Sequence, residues 1–282
     1  MQQAELTSKQ FEDFSKIIAS RLGIKMPETK RTMLQSRLLR RSRELGLEDV
    51  HAYHARFFSD PEVQEEELEH LLNLATTNKT DFFREPDHFD FLAQQALPAW
   101  RARSPSGPFR VWCAGCSTGE EAYTLSMVLM EAQTRGSFDF SILATDVSTR
   151  VLEKAMAATY DEEHTSPVPP AMRKKYLLRS RDSSAGLIRI APEVRSHVRF
   201  GHLNFLSEDY GLRTKFDAIY FRNVMIYFDR DTQRTIVSRM CRLLPVGNWL
   251  FTAHAETLQG LGLPLDSIQA AVYVRTKGEP PL

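Results

Sequence analysis

Cysteine is scarce: the chain has only Cys113, Cys116 and Cys241. A small, odd number excludes a disulfide-stapled scaffold and fits a reducing compartment. Thirteen glycines and fourteen prolines among 282 residues are too few for a collagen-like or low-complexity chain. Neither sign of charge is in excess, since Lys plus Arg and Asp plus Glu each number 36. No global field therefore draws the molecule to nucleic acid or to an anionic membrane. No run of about 18 uncharged apolar residues occurs, so no segment reads as a membrane-spanning helix. The opening residues, Met1-Gln2-Gln3-Ala4-Glu5, lack the basic and apolar stretches of a secretory signal, and the expected location is cytoplasmic. What is present is ordinary for a folded protein: 42% hydrophobic and 26% charged residues, with apolar surface to offset the entropy of ordering.

The length fits one large domain or two modest ones. Residues 1–75 read as a helical domain. Phe11, Phe14, Ile17, Ile18 and Leu22 follow helical spacing, with Gly23 as the stop. A second helix runs from Thr29 to Leu45 and ends at Gly46; Asp60-Pro61 opens another, Asp capping and Pro fitting the first turn. Charge is segregated here. Arg21, Lys25, Lys30, Arg31, Arg37, Arg40, Arg41 and Arg43 face only Glu28 as an opposing charge, and an acidic stretch follows over 44–70. Lys30, Arg37 and Arg41 share a helical stripe. That stripe is either a solvated face paired with the acidic helix behind it or a docking surface for an acidic partner.

Residues 76–108 read as a linker that also contacts ligand, ending in the turn-rich Arg103-Ser104-Pro105-Ser106-Gly107-Pro108. From 109 to 282 the pattern is α/β. Strands are expected at Phe109–Ala114, Asp139–Thr145, Val198–Leu203, Phe216–Phe221 and Trp249–Ala253, with a terminal hairpin ending near Thr276. Helices are expected at Gly119–Ala132, Thr149–Ala158 and Asp231–Leu244. This alternation predicts a doubly wound parallel sheet. Residues 171–200 break the rhythm and read as a small antiparallel insertion, with a short helix near Met172–Leu177, a turn at Ser183-Ser184-Ala185-Gly186 and a strand at Leu187–Ile190.

Between the first strand and its helix lies Ala114-Gly115-Cys116-Ser117-Thr118-Gly119-Glu120-Glu121. Glycine lets the backbone approach a ligand, and the helix start presents free N–H groups. The run is neither G-x-G-x-x-G nor a P-loop. Glu120 and Glu121 stand where a pyrophosphate would sit; their charge repels phosphate and suits a sulfonium or an amino group. Asp146 ends the second strand, where a carboxylate accepts both hydroxyls of a ribose; its competing role is to cap the next helix. Together these features favour S-adenosylmethionine over NAD. Arg222, Asn223 and Tyr227 follow a strand end, where such folds collect ligands. Asn223-Val224-Met225-Ile226-Tyr227 lacks the prolines of base methyltransferases, which disfavours base-flipping chemistry and a nucleic-acid partner. Cys113 and Cys116 form a C-x-x-C pair, too few ligands for structural zinc and read here as strand core and loop.

Four blocks in order, Asn78-x-Thr80-x-Phe82-Phe83-Arg84, Ser117-Thr118-Gly119-Glu120-Glu121, Ala144-Thr145-Asp146, and Phe216-Asp217-Ala218-Ile219 with Arg222 to Phe228, closely resemble the CheR-type chemotaxis receptor (protein-glutamate) O-methyltransferases. The resemblance spans the whole chain. It implies a small helical domain before a Rossmann-like class I S-adenosylmethionine-dependent methyltransferase domain with an antiparallel insertion. It implies methyl esterification of glutamates on cytoplasmic helices of chemoreceptors, with S-adenosylhomocysteine as the product and no metal. Carried over, Asn78, Thr80, Arg84, Gly115, Glu120 or Glu121 (Glu121 favoured), Asp146, Asn204, Phe205, Arg222 and Asn223 would hold the cofactor. Arg84 and Tyr227 would lie nearest the methyl and the substrate carboxylate, and Phe205, where an aliphatic residue is common, would stack on adenine. The implied partner is the receptor helical domain, docked through Lys30, Arg37 and Arg41, with a receptor-tail peptide at 171–200 in some members and no insertion into a membrane. The competing readings are a catalytically weak receptor-binding scaffold of the same fold, a methyltransferase acting on small molecules or RNA, and an NAD oxidoreductase.

Overall fold

The computed structural model describes residues 5–180 and 186–280. The turn expected at Ser183-Ser184-Ala185-Gly186 lies, but for Gly186, outside the described residues. The chain divides into two compact units, Met1–Thr77 with Tyr227–Asp229, and Asn78–Ile226 with Arg230–Leu282.

The first unit is helical: α1 (Ser8–Leu22), α2 (Arg31–Glu44), α3 (Val50–Ser59) and α4 (Pro61–Ala75). Local chemistry sets the ends. Thr7 and Gln10 form a capping box at the start of α1, and Gly23 closes it in the left-handed region at φ +69°. Asp60 accepts from the Glu62 amide with Pro61 in the first turn of α4. Phe14 meets Tyr53 and Phe57 at the centre, over buried Leu34, Leu38 and Leu71. Arg41 donates to both oxygens of Glu67 at 2.8 and 3.0 Å, and Tyr53 donates to the same carboxylate at 3.2 Å. Arg37 donates to the carbonyls of Leu74 and Thr76. The pairing of the basic stripe with the acidic helix is thus realised at Arg41.

The second unit opens with α5 (Asp87–Phe91), a π-helical stretch (Leu92–Ala96) and α6 (Leu97–Arg101). This corrects the expectation of a linker over 76–108. Phe89, Phe91, Leu92, Leu97 and Trp100 are buried, so the segment is core. Pro98 cannot donate backward, and its ring would crowd the preceding turn of an α-helix; the wider π turn just before it accommodates both.

Then follow β1 (Phe109–Ala114), α7 (Glu120–Gln133), β2 (Phe140–Asp146), α8 (Thr149–Ala157), β3 (Thr159–Asp161), α9 (Pro170–Tyr176), β4 (Leu177–Arg179), β5 (Leu187–Ile190), α10 (Pro192–Arg195), β6 (Val198–His202), β7 (Ala218–Tyr220), α11 (Arg230–Leu243), β8 (Trp249–Phe251), β9 (Leu265–Gln269) and β10 (Val272–Arg275). Seven strands form one sheet in the order β6-β2-β1-β7-β8-β10-β9. Its first five are mutually parallel, and β10 runs antiparallel to both β8 and β9. The sheet is therefore mixed, the terminal hairpin supplying its antiparallel edge. Strand β1 sits third in this order and is buried along most of its length; its Trp112 donates to Thr145 Oγ1 at 2.9 Å.

A second sheet, β3-β5-β4, is antiparallel. The insertion is real, but its strands lie within 159–190 rather than 171–200. β3 is too short to show alternation, and β6 belongs to the main sheet. No helix among the described residues is long and apolar enough to cross a membrane.

Candidate functional site

The strand order reverses at β1, because β2 and β6 extend to one side and β7 and β8 to the other. Ligands collect at the carboxyl ends of strands beside such a switch point. The loop after β1 begins there. Gly115 and Cys116 donate to the Thr145 carbonyl at 2.8 and 2.9 Å, which folds the loop over the end of β2. Gly115 has φ +86°, and a Cβ there would lie 2.4 Å from Val224 Cγ2. A side chain would strain the turn and also collide with the loop after β7. Gly119, at φ +97°, precedes α7, so the helix opens directly on Glu120 and Glu121.

The two glutamates have different surroundings. Glu120 is almost fully buried. It accepts from the Thr118 hydroxyl and pairs with His164 Nε2 at 2.9 Å. Burial raises its pKa, against the pull of Thr118 and His164. Tyr160 donates to the Thr118 carbonyl at 2.7 Å, so two residues of the insertion, Tyr160 on β3 and His164 just after it, grip the start of α7. Glu121 accepts from Arg222 Nη1 at 2.7 Å and from the Cys113 thiol at 3.3 Å.

Asp146 is 8% exposed. One oxygen accepts from the Ser117 amide at 2.8 Å and the other from the Ser148 amide at 3.0 Å. Burial raises its pKa, while the amides of Ser148, Ser117 and Val147 oppose the rise. The cap of α8 is Ser148, whose hydroxyl accepts from Val151. Asp146 thus locks the loop after β1 to β2 and keeps further lone pairs for a ligand.

The segment that carries Asn78, Thr80 and Arg84 lies against the same loop. Ser117 Oγ donates to the Asn78 carbonyl at 3.0 Å. Phe83 and Glu85 both take φ of +54°, an arrangement non-glycine residues rarely adopt. Arg222 holds this turn. Its Nη2 donates to the Arg84 carbonyl at 2.6 Å and to Glu85 Oε2 at 3.0 Å. Burial disfavours the Arg222 charge, but Glu121 and Glu85 outweigh it and raise its pKa. Its Nε is buried without a partner. Asn223 sits at φ +59°.

Asn204 caps its own turn by accepting from the Leu206 amide at 2.9 Å. Phe205 is 6% exposed and packs against Trp112, Tyr210 and Phe221. That leaves its ring as a wall more than an open stacking face. Tyr227 belongs to the helical unit; its hydroxyl donates to the Thr77 carbonyl at 3.3 Å, and Lys30 Nζ lies 5.0 Å from its ring centroid. Cys113 and Cys116 are buried, and burial pushes both thiols well above the ordinary range, which suits inert core residues.

Glu85, His164 and Glu256 are participants that the sequence reading missed. Each meets its partner far along the chain, at separations of 137, 44 and 33 residues. His88 is fully buried; burial and the nearby Arg222 charge push its pKa down to about 4. Donor atoms of Glu85, His88 and His254 come within 4.8 Å of one another. The Arg222 guanidinium already occupies Glu85 and supplies the positive charge there.

The donor set fits an adenosine carrying a cationic amino-acid tail. A carboxylate ends β2, glycine opens the backbone, and carboxylates at the helix start disfavour pyrophosphate. Comparison with known proteins agrees. Residues 78–274 match the family model described as CheR methyltransferase, SAM binding domain, and residues 9–76 match CheR methyltransferase, all-alpha domain. The chain is 38% identical over 276 residues to the chemotaxis protein methyltransferase of Klebsiella aerogenes, covering 98% of this chain and 92% of that protein. It is 37% identical to the Escherichia coli K12 chemotaxis protein methyltransferase, covering 96% and 92%, and 36% identical to chemotaxis protein methyltransferase 2 of Pseudomonas aeruginosa, covering 96% and 95%. With an all-alpha domain followed by a Rossmann-like S-adenosylmethionine-binding domain that carries a small antiparallel insertion, the chain belongs to the CheR methyltransferase family.

Proposed function

We propose that this methyltransferase forms methyl esters on glutamate side chains of chemoreceptor cytoplasmic helices, and so serves adaptation. The observation that carries the reading is the arrangement of buried Asp146 and Arg222 with Glu121 and the Gly115 loop at the switch point of the sheet. It fits an adenosine-bearing sulfonium, and the named relatives are chemotaxis methyltransferases.

S-adenosylmethionine, when bound, supplies an electrophilic methyl group. The residues of this chain position and shield. Asp146 accepts from the ribose hydroxyls, and Glu121 from the cofactor's amino group. Asn78, Thr80, Asn204, Phe205, Arg222 and Asn223 complete the walls, while Glu120, tied to His164 and Thr118, holds the helix start. A glutamate substrate is ionised at neutral pH, since its pKa is about 4.3, so no general base is needed. Its oxygen would take the methyl group that bound S-adenosylmethionine supplies, with S-adenosylhomocysteine as the product. Arg84 Nη1 donates to the Lys79 carbonyl at 3.2 Å, and the guanidinium is proposed to orient the carboxylate by a charge-assisted hydrogen bond. Tyr227 joins the catalytic set on its motif alone. The reactants gain rate chiefly from being held in line.

The partner surface is proposed on α2. Arg37 and Arg41 already serve Leu74, Thr76 and Glu67, so with Lys30 they contribute a field more than direct contacts. Arg84→Ala should lower methyl transfer by about a hundredfold, the scale of losing one positioned electrostatic group, and cost folding about 1 kcal/mol or less, the worth of the hydrogen bond that the half-buried side chain gives to the Lys79 carbonyl. His254→Ala should keep turnover, because the exposed His254 ring pairs with Asp87 and stacks on His88, neither of them a proposed cofactor or substrate contact. Abolished transfer in His254→Ala with cofactor affinity intact contradicts the base-free mechanism.

A further inference from the structure

We infer that Glu256 is a positioning residue for the cofactor site: its buried carboxylate gathers the backbone amides of the loop after β7 and thereby sets Arg222 and Asn223. The inference rests on those two residues being cofactor contacts, as proposed above.

Glu256 lies in the loop after β8 and is 7% exposed. Its Oε2 accepts from the Ala253 amide at 2.9 Å and the Asn223 amide at 3.0 Å. The Met225 and Ile226 amides also act on it, opposing the rise in pKa that burial causes. Among the described residues it has no cationic partner within ion-pair distance. Its charge is therefore answered by backbone N–H groups alone, the way a concavity of amides holds an anion. One of those amides belongs to Asn223, held at φ +59°, in the left-handed region that asparagine enters more readily than most non-glycine residues. The next residue, Val224, presses on Gly115 so closely that a Cβ there would be 2.4 Å away. Loops after β1, β7 and β8 thus meet at one point, and Glu256 joins the last two. Arg222, immediately before Asn223, leaves β7 at that junction to reach Glu121 and Glu85. The other Glu256 oxygen, Oε1, is buried without a hydrogen-bond partner among the described residues, so a glutamine with its carbonyl oxygen at the Oε2 position would keep both bonds but as neutral ones, roughly half as strong as those to a carboxylate.

The test is calorimetric titration of the full chain with S-adenosylhomocysteine, for wild type, Glu256→Gln, Asn223→Ala and the double variant. Affinity should fall about tenfold or more in Glu256→Gln, the scale seen when a group that orients metal ligands is lost. The double variant should lose little beyond the larger single effect, because both changes act through one loop, whereas independent effects add. Unchanged affinity in a folded Glu256→Gln, or a fully additive double variant, overturns the inference. Wild-type protein that does not bind overturns the cofactor reading as well. If Glu256→Gln does not fold, amide exchange on the wild type decides. Protection of the Asn223 and Ala253 amides before any ligand is added supports the clamp; exchange at the rate of an open loop overturns it.

Discussion

Arg222 is a single buried guanidinium shared by two half-buried carboxylates, Glu121 at 2.7 Å and Glu85 at 3.0 Å. Removing one partner of such a set leaves an uncompensated charge, which costs about 3–5 kcal/mol, so the residues form a unit. Asp146 raises a different point, one of sign. Burial raises its pKa, so the folded state holds its proton more tightly than the unfolded chain. By linkage, its own contribution to folding stability increases as pH falls through that raised value. Its capacity to accept from ribose hydroxyls runs the other way, because protonation removes acceptor capacity. Affinity for S-adenosylhomocysteine should therefore fall on acidification with a midpoint above the ordinary aspartate value of 3.8, and that fall should be absent in Asp146→Asn. Calorimetry across a pH series, with denaturation measured in parallel, checks both signs.

At the scale of elements, β1 is legible residue for residue, from Phe109 to Ala114, because a continuous apolar run ends at a glycine turn and an acidic helix start. The helix over 87–101 is not legible in this way. Pro98 interrupts its pattern, its aromatic residues suit strand as well as helix, and only packing under the sheet settles it. The site divides on the same line. Asp146, Gly115, Glu120 and Glu121 declare themselves by position relative to a local strand or turn. Glu85, His164 and Glu256 act through partners 33 to 137 residues away, and nothing in their neighbours announces it. Gly115→Ala belongs to this scale. The substitution meets both a positive φ and Val224 Cγ2 at 2.4 Å. It should cost about 1–3 kcal/mol, as overpacking does, and weaken cofactor binding by displacing the loop after β7. Thermal unfolding and titration of the same preparation test the pair of effects; loss of stability with full affinity would show that the loop contact has no part in the site.

For the whole molecule, charge sums to zero while the helical unit keeps basic and acidic helices apart in sequence. The structure shows why that segregation is only partly a binding signal: Arg41 pairs with Glu67 inside the unit. Arg41→Glu would set like charges together and unfold what it was meant to probe. Lys30 is a cleaner probe: among the described residues it forms no ion pair, and its ammonium lies over the Tyr227 ring. If α2 steers acidic receptor helices, Lys30→Glu should slow receptor methylation at low ionic strength, and the deficit should shrink as salt rises. Initial rates across a salt series measure this, and equal rates at every salt remove Lys30 from the docking surface.

The central claim is chemical: the acceptor is a carboxylate oxygen. Its most direct measurement is transfer of a labelled methyl group from S-adenosylmethionine to a chemoreceptor cytoplasmic fragment, followed by mild base. Label should appear on the receptor and mild base should release it as methanol, the behaviour of an ester. Label that survives base, or none transferred by protein that binds S-adenosylhomocysteine, would contradict it.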